Sequence, residues 1–560
     1  MGDGPPPPEH LAKLHFQEGR FELALRHLDL AIAAAPGTAQ LWNSRGAVLA
    51  TMTRFEDAHQ SFSRALMLAP DFASASINRA HVLMALHRYE AAIADYEHVL
   101  RINDRIPFAR GNLIRAKLQC CDWRGLAEEW ERALDEMRAG RPIISPMVAT
   151  TLCDAPQDQL RVSRILAETR YPPARTPLWN GEIYRHPRIR IAYLSSDFHA
   201  HATATLMAGL FEAHDKTRFE TFAVSFGPED ASPMRQRLVH AFEHFLTVGD
   251  KNDTEIAKLL REHEIDIAID LKGFTDQSRP GILTARPAPL QVNYLGFPAT
   301  MGAPYMDYIV ADRVVVPPAN AIHYTEKIVY LPHSYQPNDR TRAAGTPPTR
   351  ASENLPEIGF VFCCFNASYK IQPVIFDIWM RLIRDVPSSV LWLLDDNPQA
   401  QRNLKREAAA RGVDADRLVF APRKPVAEHL ARHSLADIFL DTLPYNAHTT
   451  ASDALWMGLP LVTCPGTTFP ARVSASLLSA MGLPELMTSS LAEYEELARA
   501  LARDPQRLAA IRAKLARSCE TSPLFDAAQY ARNLESAYMT MWERQQRGDA
   551  PATFTVDTAG

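Results

Sequence analysis

Asn446-Ala447-His448-Thr449-Thr450-Ala451-Ser452-Asp453 stands between a short apolar run, Ile438-Phe439-Leu440-Asp441, and the segment Ala454-Leu455-Trp456-Met457-Gly458. The apolar run reads as a buried strand, and the downstream segment as a helix stopped by Gly458 and Pro460. Strand, polar turn and helix in that order present backbone N–H groups to a phosphate. The first helical turn has unpaired donors and the positive end of the helix dipole. Thr449 and Thr450 add hydroxyls, and His448 adds a ring donor. Asp453, one turn along the same face, has a carboxylate able to accept both hydroxyls of a ribose. The same residues also read as a capped helix behind a strand, since Ser, Thr and Asp are common caps. The surrounding chain decides between the two.

Working outward, apolar runs and helical segments alternate on both sides. Strands are expected at 189–194, 221–226, 265–271, 290–295, 308–312 and 327–331, and again at 359–365, 390–394, 418–421, 438–441 and 461–464. The proline-rich stretch Pro337 to Pro356 separates the two series. Strands alternating with helices predict two parallel, doubly wound sheets whose ligands sit beyond the carboxyl ends of the strands. The helix expected from Asp526 to Gln546 repeats Tyr530, Leu534, Tyr538 and Met541, an apolar stripe that needs a partner such as the other lobe. Residues after Gly548 are polar and are expected to fray.

The first quarter of the chain repeats with a period of 34 residues. Gly19-Arg20-Phe21 meets Thr53-Arg54-Phe55, then His87-Arg88-Tyr89, then Asp122-Trp123. Ala24, Ala58 and Ala92 share one position, Leu28, Phe62 and Tyr96 another, and Pro36, Pro70 and Asp104 a third. This is the signature of tetratricopeptide helix pairs: small alanines let paired helices approach, aromatics fill between repeats, and proline ends the second helix. Such arrays offer a concave face to extended peptide. Ser44, Asn78 and Asn112, in one register, read either as peptide-backbone partners or as solvated helix positions.

Other polar clusters follow strand ends. After Leu194 comes Ser195-Ser196-Asp197-Phe198-His199-Ala200-His201; two histidines make a thin metal site, whereas a cleft-facing histidine serves as a base or orients a sugar. Lys370, in Asn366-Ala367-Ser368-Tyr369-Lys370, reads as an ammonium for a phosphate or as a snorkelling surface lysine. His429 and Arg432, three apart on a helix, suit a planar base or decorate an exposed helix. Asp414-Ala415-Asp416 has metal–nucleotide spacing but precedes a strand, at its amino end; Asp395-Asp396 lies at the correct end. No metal is expected.

The totals narrow the class. A net charge of −5 with both signs interspersed argues against a nucleic-acid binder. Seven cysteines without a CxxC pair point to buried free thiols in a reducing compartment. No apolar run is long enough for a membrane span, and Met1–Glu9 has neither a basic region nor an apolar segment, so a soluble cytoplasmic protein is expected.

Together the repeats, the His201 loop, Asn366-x-x-Tyr369-Lys370 and His448-Thr449-Thr450-x-x-Asp453 resemble the O-linked N-acetylglucosamine transferases of glycosyltransferase family 41. Arg286-Pro-Ala-Pro-Leu-Gln-Val-Asn-Tyr-Leu-Gly296, Val390–Leu394 and Ser522-Pro-Leu-Phe525 are similar too, so the likeness runs from Leu11 to about Gln546. It implies an α-helical tetratricopeptide superhelix followed by an α/β GT-B catalytic region of two Rossmann-like lobes. The implied boundaries are repeats at 1–125, a helical extension and linker at 126–187, an N-terminal lobe at 188–336 and an inter-lobe linker at 337–357. A C-terminal nucleotide-binding lobe at 358–525, a helix packing across the lobes at 526–546 and a tail at 547–560 complete the chain.

The implied activity is inverting, metal-independent transfer of N-acetylglucosamine from UDP-GlcNAc to Ser or Thr of proteins, without a cofactor. The acceptor protein or peptide would lie along the repeats. By position, His448, Thr449 and Thr450 would contact the diphosphate, Asp453 the ribose, His429 and Arg432 the uridine, and Lys370 the leaving phosphate. His201 would lie beside sugar and acceptor as base or orienting group, and Thr275 would touch the sugar. Ala367 and Val426 depart from animal members, which carry glutamine and lysine there, and the short linker points to a bacterial homologue. Two rivals stay open: an asparagine hexosyltransferase using UDP-glucose, and a repeat scaffold that binds nucleotide without turnover.

Overall fold

The computed structural model describes residues 7–558; the first six residues, on which much of the reading of the N-terminus rests, lie outside the described residues. Two compact units emerge, Met1–Ile144 with Asn397–Leu404, and Ser145–Asp396 with Lys405–Gly560.

In the first unit, helix pairs follow one another: Pro8–Gln17 with Phe21–Ala34, Ala39–Thr51 with Phe55–Leu68, and Tyr89–Ile102 after Ala73–Ala85. Ala109–Gln119 and Leu126–Arg138 follow. The repeat positions are those that pack: Ala24, Ala58 and Ala92 are fully buried, and Leu28, Phe62 and Tyr96 nearly so. Gly46 is tighter still, since a Cβ there would stand 2.5 Å from the Phe62 ring. Each pair turns on a left-handed residue at the same register, Gly19, Thr53, His87 and Cys121. Only the first is glycine, so the later turns hold a side chain in a conformation costing about 1 kcal/mol. The asparagine register is partly occupied from within: the Asn78 side-chain amide donates to the Asn43 side-chain Oδ1 at 3.0 Å, and Asn112 bonds His81 at 3.0 Å.

The second unit holds two parallel sheets. Strands β1 (Ile189–Ser195), β2 (Phe219–Ser225), β3 (His244–Thr247), β4 (Ile267–Asp270), β5 (Leu290–Asn293), β6 (Tyr308–Asp312) and β7 (Lys327–Leu331) build the N-terminal lobe. Strands β8 (Val361–Cys364), β9 (Val390–Leu394), β10 (Leu418–Ala421), β11 (Ile438–Leu440) and β12 (Leu461–Val462) build the C-terminal lobe, and β13 (Phe554–Thr555) returns to the first. The orders are β13-β7-β6-β5-β4-β1-β2-β3 and β10-β9-β8-β11-β12. Most of these strands are buried on both faces, which is why they read as continuous apolar runs. Half-exposed β3 carries no such signal.

One expectation changes, and two segments gain detail. The tail does not simply fray: Phe554–Thr555 pairs with Val329 and Tyr330 of β7, and Val556 is buried. Backbone pairing to an open sheet edge needs little side-chain signal, so so short a polar stretch hid it. Helices Pro146–Leu152 and Pro156–Arg170 of the extension group with the lobes rather than with the repeats. The segment between the lobes is no bare tether, because Asn338, Asp339, Arg342 and Glu353 are buried in it.

The stripe on helix Ala527–Gln546 does find the other lobe. Tyr530, Leu534, Tyr538 and Met541 join the core beneath β1, β4 and β5. Tyr538 bonds the Tyr193 hydroxyl at 3.1 Å, and Tyr530 bonds that of Tyr294 at 2.6 Å. A chain ended at Gly548 would uncover β7 and the Val556 pocket. It is expected to lose about 2 kcal/mol of stability, read as a lower urea midpoint; an unchanged midpoint would show that β13 adds nothing.

Candidate active site

The site is built on the turn between β11 and helix Thr449–Trp456. Asp441 ends β11 inside the protein and gathers three donors: the backbone N–H of Thr442 at 2.8 Å, that of Ala447 at 2.6 Å, and the Thr463 hydroxyl at 2.7 Å. Burial pushes its carboxyl up to about 6 against those hydrogen bonds. From the end of β8, Asn366 spans the same turn, donating to the Thr442 hydroxyl at 2.7 Å and accepting from the Thr450 hydroxyl. The Thr442 hydroxyl donates on to the Tyr445 carbonyl at 2.6 Å, and Asn446 donates back to the Thr442 carbonyl at 2.8 Å.

Lys370 enters this frame from a short turn after β8 and is buried. Its Nζ donates to the Asn446 carbonyl at 2.8 Å and lies 4.1 Å from the centre of the Tyr445 ring. An ammonium has three protons, so donors remain for a ligand. It is no snorkelling surface lysine: burial pulls its pKa down to about 8, partly opposed by Asp441.

His448 sits at the N-cap, its ring 4.8 Å from that of Tyr445 and its Nε2 3.3 Å from the Pro470 carbonyl. Burial and the neighbouring Lys370 hold it neutral. A neutral imidazole has one N–H, and here it goes to Pro470, so the ring faces a ligand as an acceptor. Likewise the Thr450 hydroxyl goes to Asn366. What the helix start offers an anion is therefore mainly its backbone N–H groups.

Asp453 follows on the same helix, half-buried, its Oδ1 2.5 Å from Nη1 of Arg342. His429, on helix Val426–Arg432, is half-buried against Phe365 and His433, with ring centres 5.4 and 5.0 Å away. Burial, with His433 and the Arg432 guanidinium close by, lowers its pKa to about 3, so it is a neutral ring. Arg432 does not share its face: it is fully buried, donating Nη1 to the Pro422 carbonyl at 2.8 Å, with Glu353 3.9 Å from Nε.

In the N-terminal lobe, Asp197 and Lys272 form a buried ion pair, Nζ lying 2.8 Å from both carboxylate oxygens. They follow β1 and β4 and tie the carboxyl ends of neighbouring strands together. His201 caps helix Ala202–Ala213: its Nδ1 accepts from the Thr203 backbone N–H at 3.2 Å and lies 3.4 Å from Asp197. Burial lowers its pKa although Asp197 opposes this. Thr275 turns its hydroxyl to the Lys272 carbonyl at 2.8 Å.

The structure therefore gathers Lys370, His448, Thr449 and Thr450 at one helix start, sets Asp453 behind them, keeps His429 beside β8 and turns Arg432 inward. Asn366 was marked from the sequence only as a motif position, and Asp441, Lys272 and Arg342 were given no role there. The first three stand at strand ends, a usable signal; Arg342 reaches Asp453 across 111 residues, and no local pattern marks it. The acidic pairs serve locally: Asp414 caps the turn before β10, and Asp396 accepts from Arg423 and from the Ser368 N–H. Among the described residues, no three His, Cys, Asp or Glu side chains gather as a ligand set, and no helix is long and apolar enough to cross a membrane.

Keeping the Lys370 ammonium buried opposes folding. Its pKa is about 8 in the folded chain against 10.5 for an ordinary lysine, a cost of about 3 kcal/mol. The sign is fixed: the cost is complete below pH 8 and fades as pH rises toward 10.5, where the unfolded lysine also loses its proton. The parent chain should gain on a Lys370→Met variant by about 2–3 kcal/mol between pH 7 and 10, read from paired urea midpoints. A difference that stays flat with pH contradicts the buried charge.

Residues 174–344 and 344–534 match the family described as Glycosyl transferase family 41, and residues 73–105 match a tetratricopeptide repeat. An Arabidopsis thaliana protein named as a probable UDP-N-acetylglucosamine–peptide N-acetylglucosaminyltransferase is 40% identical over 66% of this chain and 38% of its own length. The Caenorhabditis elegans protein of that activity name is 30% identical over 67% of this chain and 43% of its own. The chain thus spans about two fifths of these curated relatives. A solved Thermobaculum terrenum O-GlcNAc transferase mutant superposes with a TM-score of 0.73 at 28% identity, covering 97% of this chain and 98% of that one. With the family match running through both lobes, the chain belongs to glycosyltransferase family 41.

Proposed function

We propose that this chain transfers N-acetylglucosamine from UDP-GlcNAc to Ser or Thr hydroxyls of proteins, with inversion and without a metal. The observation that carries the reading is the buried Lys370 ammonium lodged against the turn that opens helix Thr449–Trp456. An inverting transfer must stabilise the charge that grows on the departing diphosphate. A fixed ammonium and the N–H groups of a helix start do so without reorganising, and one such donor contributes about 3 kcal/mol. In this reading the uracil lies by His429, and the ribose reaches Asp453.

His201 acts in this scheme by orienting rather than by taking the proton. With Nδ1 accepting from the Thr203 N–H, its proton is on Nε2, so the ring approaches substrate as a hydrogen-bond donor. Thr275 lies in the turn after β4 on the same lobe, a sugar contact in this reading. The acceptor protein is taken along the repeats, and seven cysteines without a CxxC pair are in keeping with a cytoplasmic setting.

The decisive experiment incubates the purified chain with peptide libraries and UDP-GlcNAc or UDP-glucose, with EDTA present, and localises any added sugar by mass spectrometry. GlcNAc on Ser or Thr is expected. Glucose on asparagine would make it a hexosyltransferase, and UDP binding with no transfer would make it a scaffold. Lys370→Ala should reduce turnover about a hundredfold or more with the fold kept; near-normal transfer would remove the ammonium from the mechanism. His201→Ala should lower turnover yet leave the shape of the pH–rate profile intact, whereas loss of its acidic limb would identify the ring as the base.

A further inference from the structure

Arg342 lies between the lobes with 8% of its surface exposed. A guanidinium keeps its charge at any ordinary pH, so burying one calls for an anion. That anion is Asp453, at 2.5 Å from Nη1. The rest of Arg342 is held as well. Nε donates to the Asp339 carbonyl at 3.1 Å, and the Arg342 carbonyl accepts from the Trp456 ring nitrogen at 3.2 Å. Trp456 stands on the same helix as Asp453, so Arg342 grips that helix by head and backbone together.

Asp339 is itself fixed, by Arg237 at 2.5 Å and by the backbone N–H and hydroxyl of Thr341 at 2.9 and 2.8 Å. Arg237 in turn pairs with Glu212 at 2.7 Å. Contacts therefore run from Glu212 through Arg237 to the Asp339 carboxylate, and from the Asp339 backbone carbonyl through Arg342 to Asp453, leading from two N-lobe helices to the helix of the candidate site.

The contact with Asp453 is end-on, one nitrogen to one oxygen. Among the described residues no hydrogen bond reaches Asp453 Oδ2, and Arg342 Nη2 is buried without a protein acceptor. Burial pushes the Asp453 carboxyl up, and the guanidinium works against it. We infer that Arg342 is a positioning residue for donor binding: it fixes the Asp453 carboxylate through Oδ1 and leaves Oδ2 directed at the ribose hydroxyls of a nucleoside diphosphate. This rests on the proposed reading of Asp453. A merely structural ion pair between segments would instead serve every ligand of the site alike.

The test compares the affinity of UDP with that of a UDP analogue lacking both ribose hydroxyls, by calorimetry on the full chain and its Arg342→Met and Asp453→Asn variants. Arg342→Met is expected to weaken UDP tenfold or more and the analogue less than twofold. Unchanged or tighter UDP binding, or an equal loss for both ligands, overturns the inference. Asp453→Asn separates the two claims. If it removes the ribose-dependent affinity while Arg342→Met does not, only the role of Arg342 falls; if it changes nothing, the ribose reading of Asp453 falls first. Should Arg342→Met fail to fold, Arg342→Gln, which keeps a donor without the charge, is read by the same outcomes.

Discussion

An ammonium held away from water beside a helix start is the constraint on which the rest of the C-terminal lobe depends. Lys370 keeps its charge in that setting because the Asn446 carbonyl, the face of Tyr445 and the more distant Asp441 carboxylate surround it. Each of these is positioned by the same turn. Were the turn loose, the lysine would swing out to solvent, where an ammonium is far better solvated. The hydrogen bonds of Asp441, Thr442, Asn366 and Asn446 therefore do for Lys370 what a metal-binding shell does for an ion: they hold the surroundings still.

The fold supplies this turn through its topology. In a parallel sheet, each strand's carboxyl end opens onto the same edge, and β8 and β11 are neighbours there. Asn366 after one strand and the 442–448 turn after the other are thus brought within hydrogen-bonding distance although 76 residues separate Asn366 from Thr442. The N-terminal lobe repeats the principle. Adjacent β1 and β4 bring Asp197 and Lys272 together, and His201 stands beside the pair. The lobes are joined by polar contacts as well as by apolar packing: Asp312 at the end of β6 accepts from Ser476, and Gln336 donates to Ser452 on the helix that carries Asp453.

Several side chains are engaged in ways that refine their chemistry. The Thr450 hydroxyl and the His448 N–H face protein partners, so in the proposed reaction charge stabilisation rests on backbone donors and on Lys370. Arg432 serves the interior of its lobe by holding the Pro422 carbonyl, leaving His429 as the ring on the open side of that helix. Backbone donors and a neutral ring are less tunable than charged side chains, and they are also less dependent on pH.

The sequence by itself determined the period of 34 residues, the alternation of strand and helix, and the strand-end position of nearly every residue of interest. These are local properties: a helix face or a buried strand imposes its period on neighbours in the chain. Only the tertiary structure decided which side of its helix Arg432 would face, that the tail would return to β7, and that Arg342 would meet Asp453 across 111 residues. Those outcomes depend on how far a helix is rotated against its sheet, on an edge left open by another segment, and on charge pairing between distant parts of the chain. None of these leaves a mark within a few residues of the groups concerned.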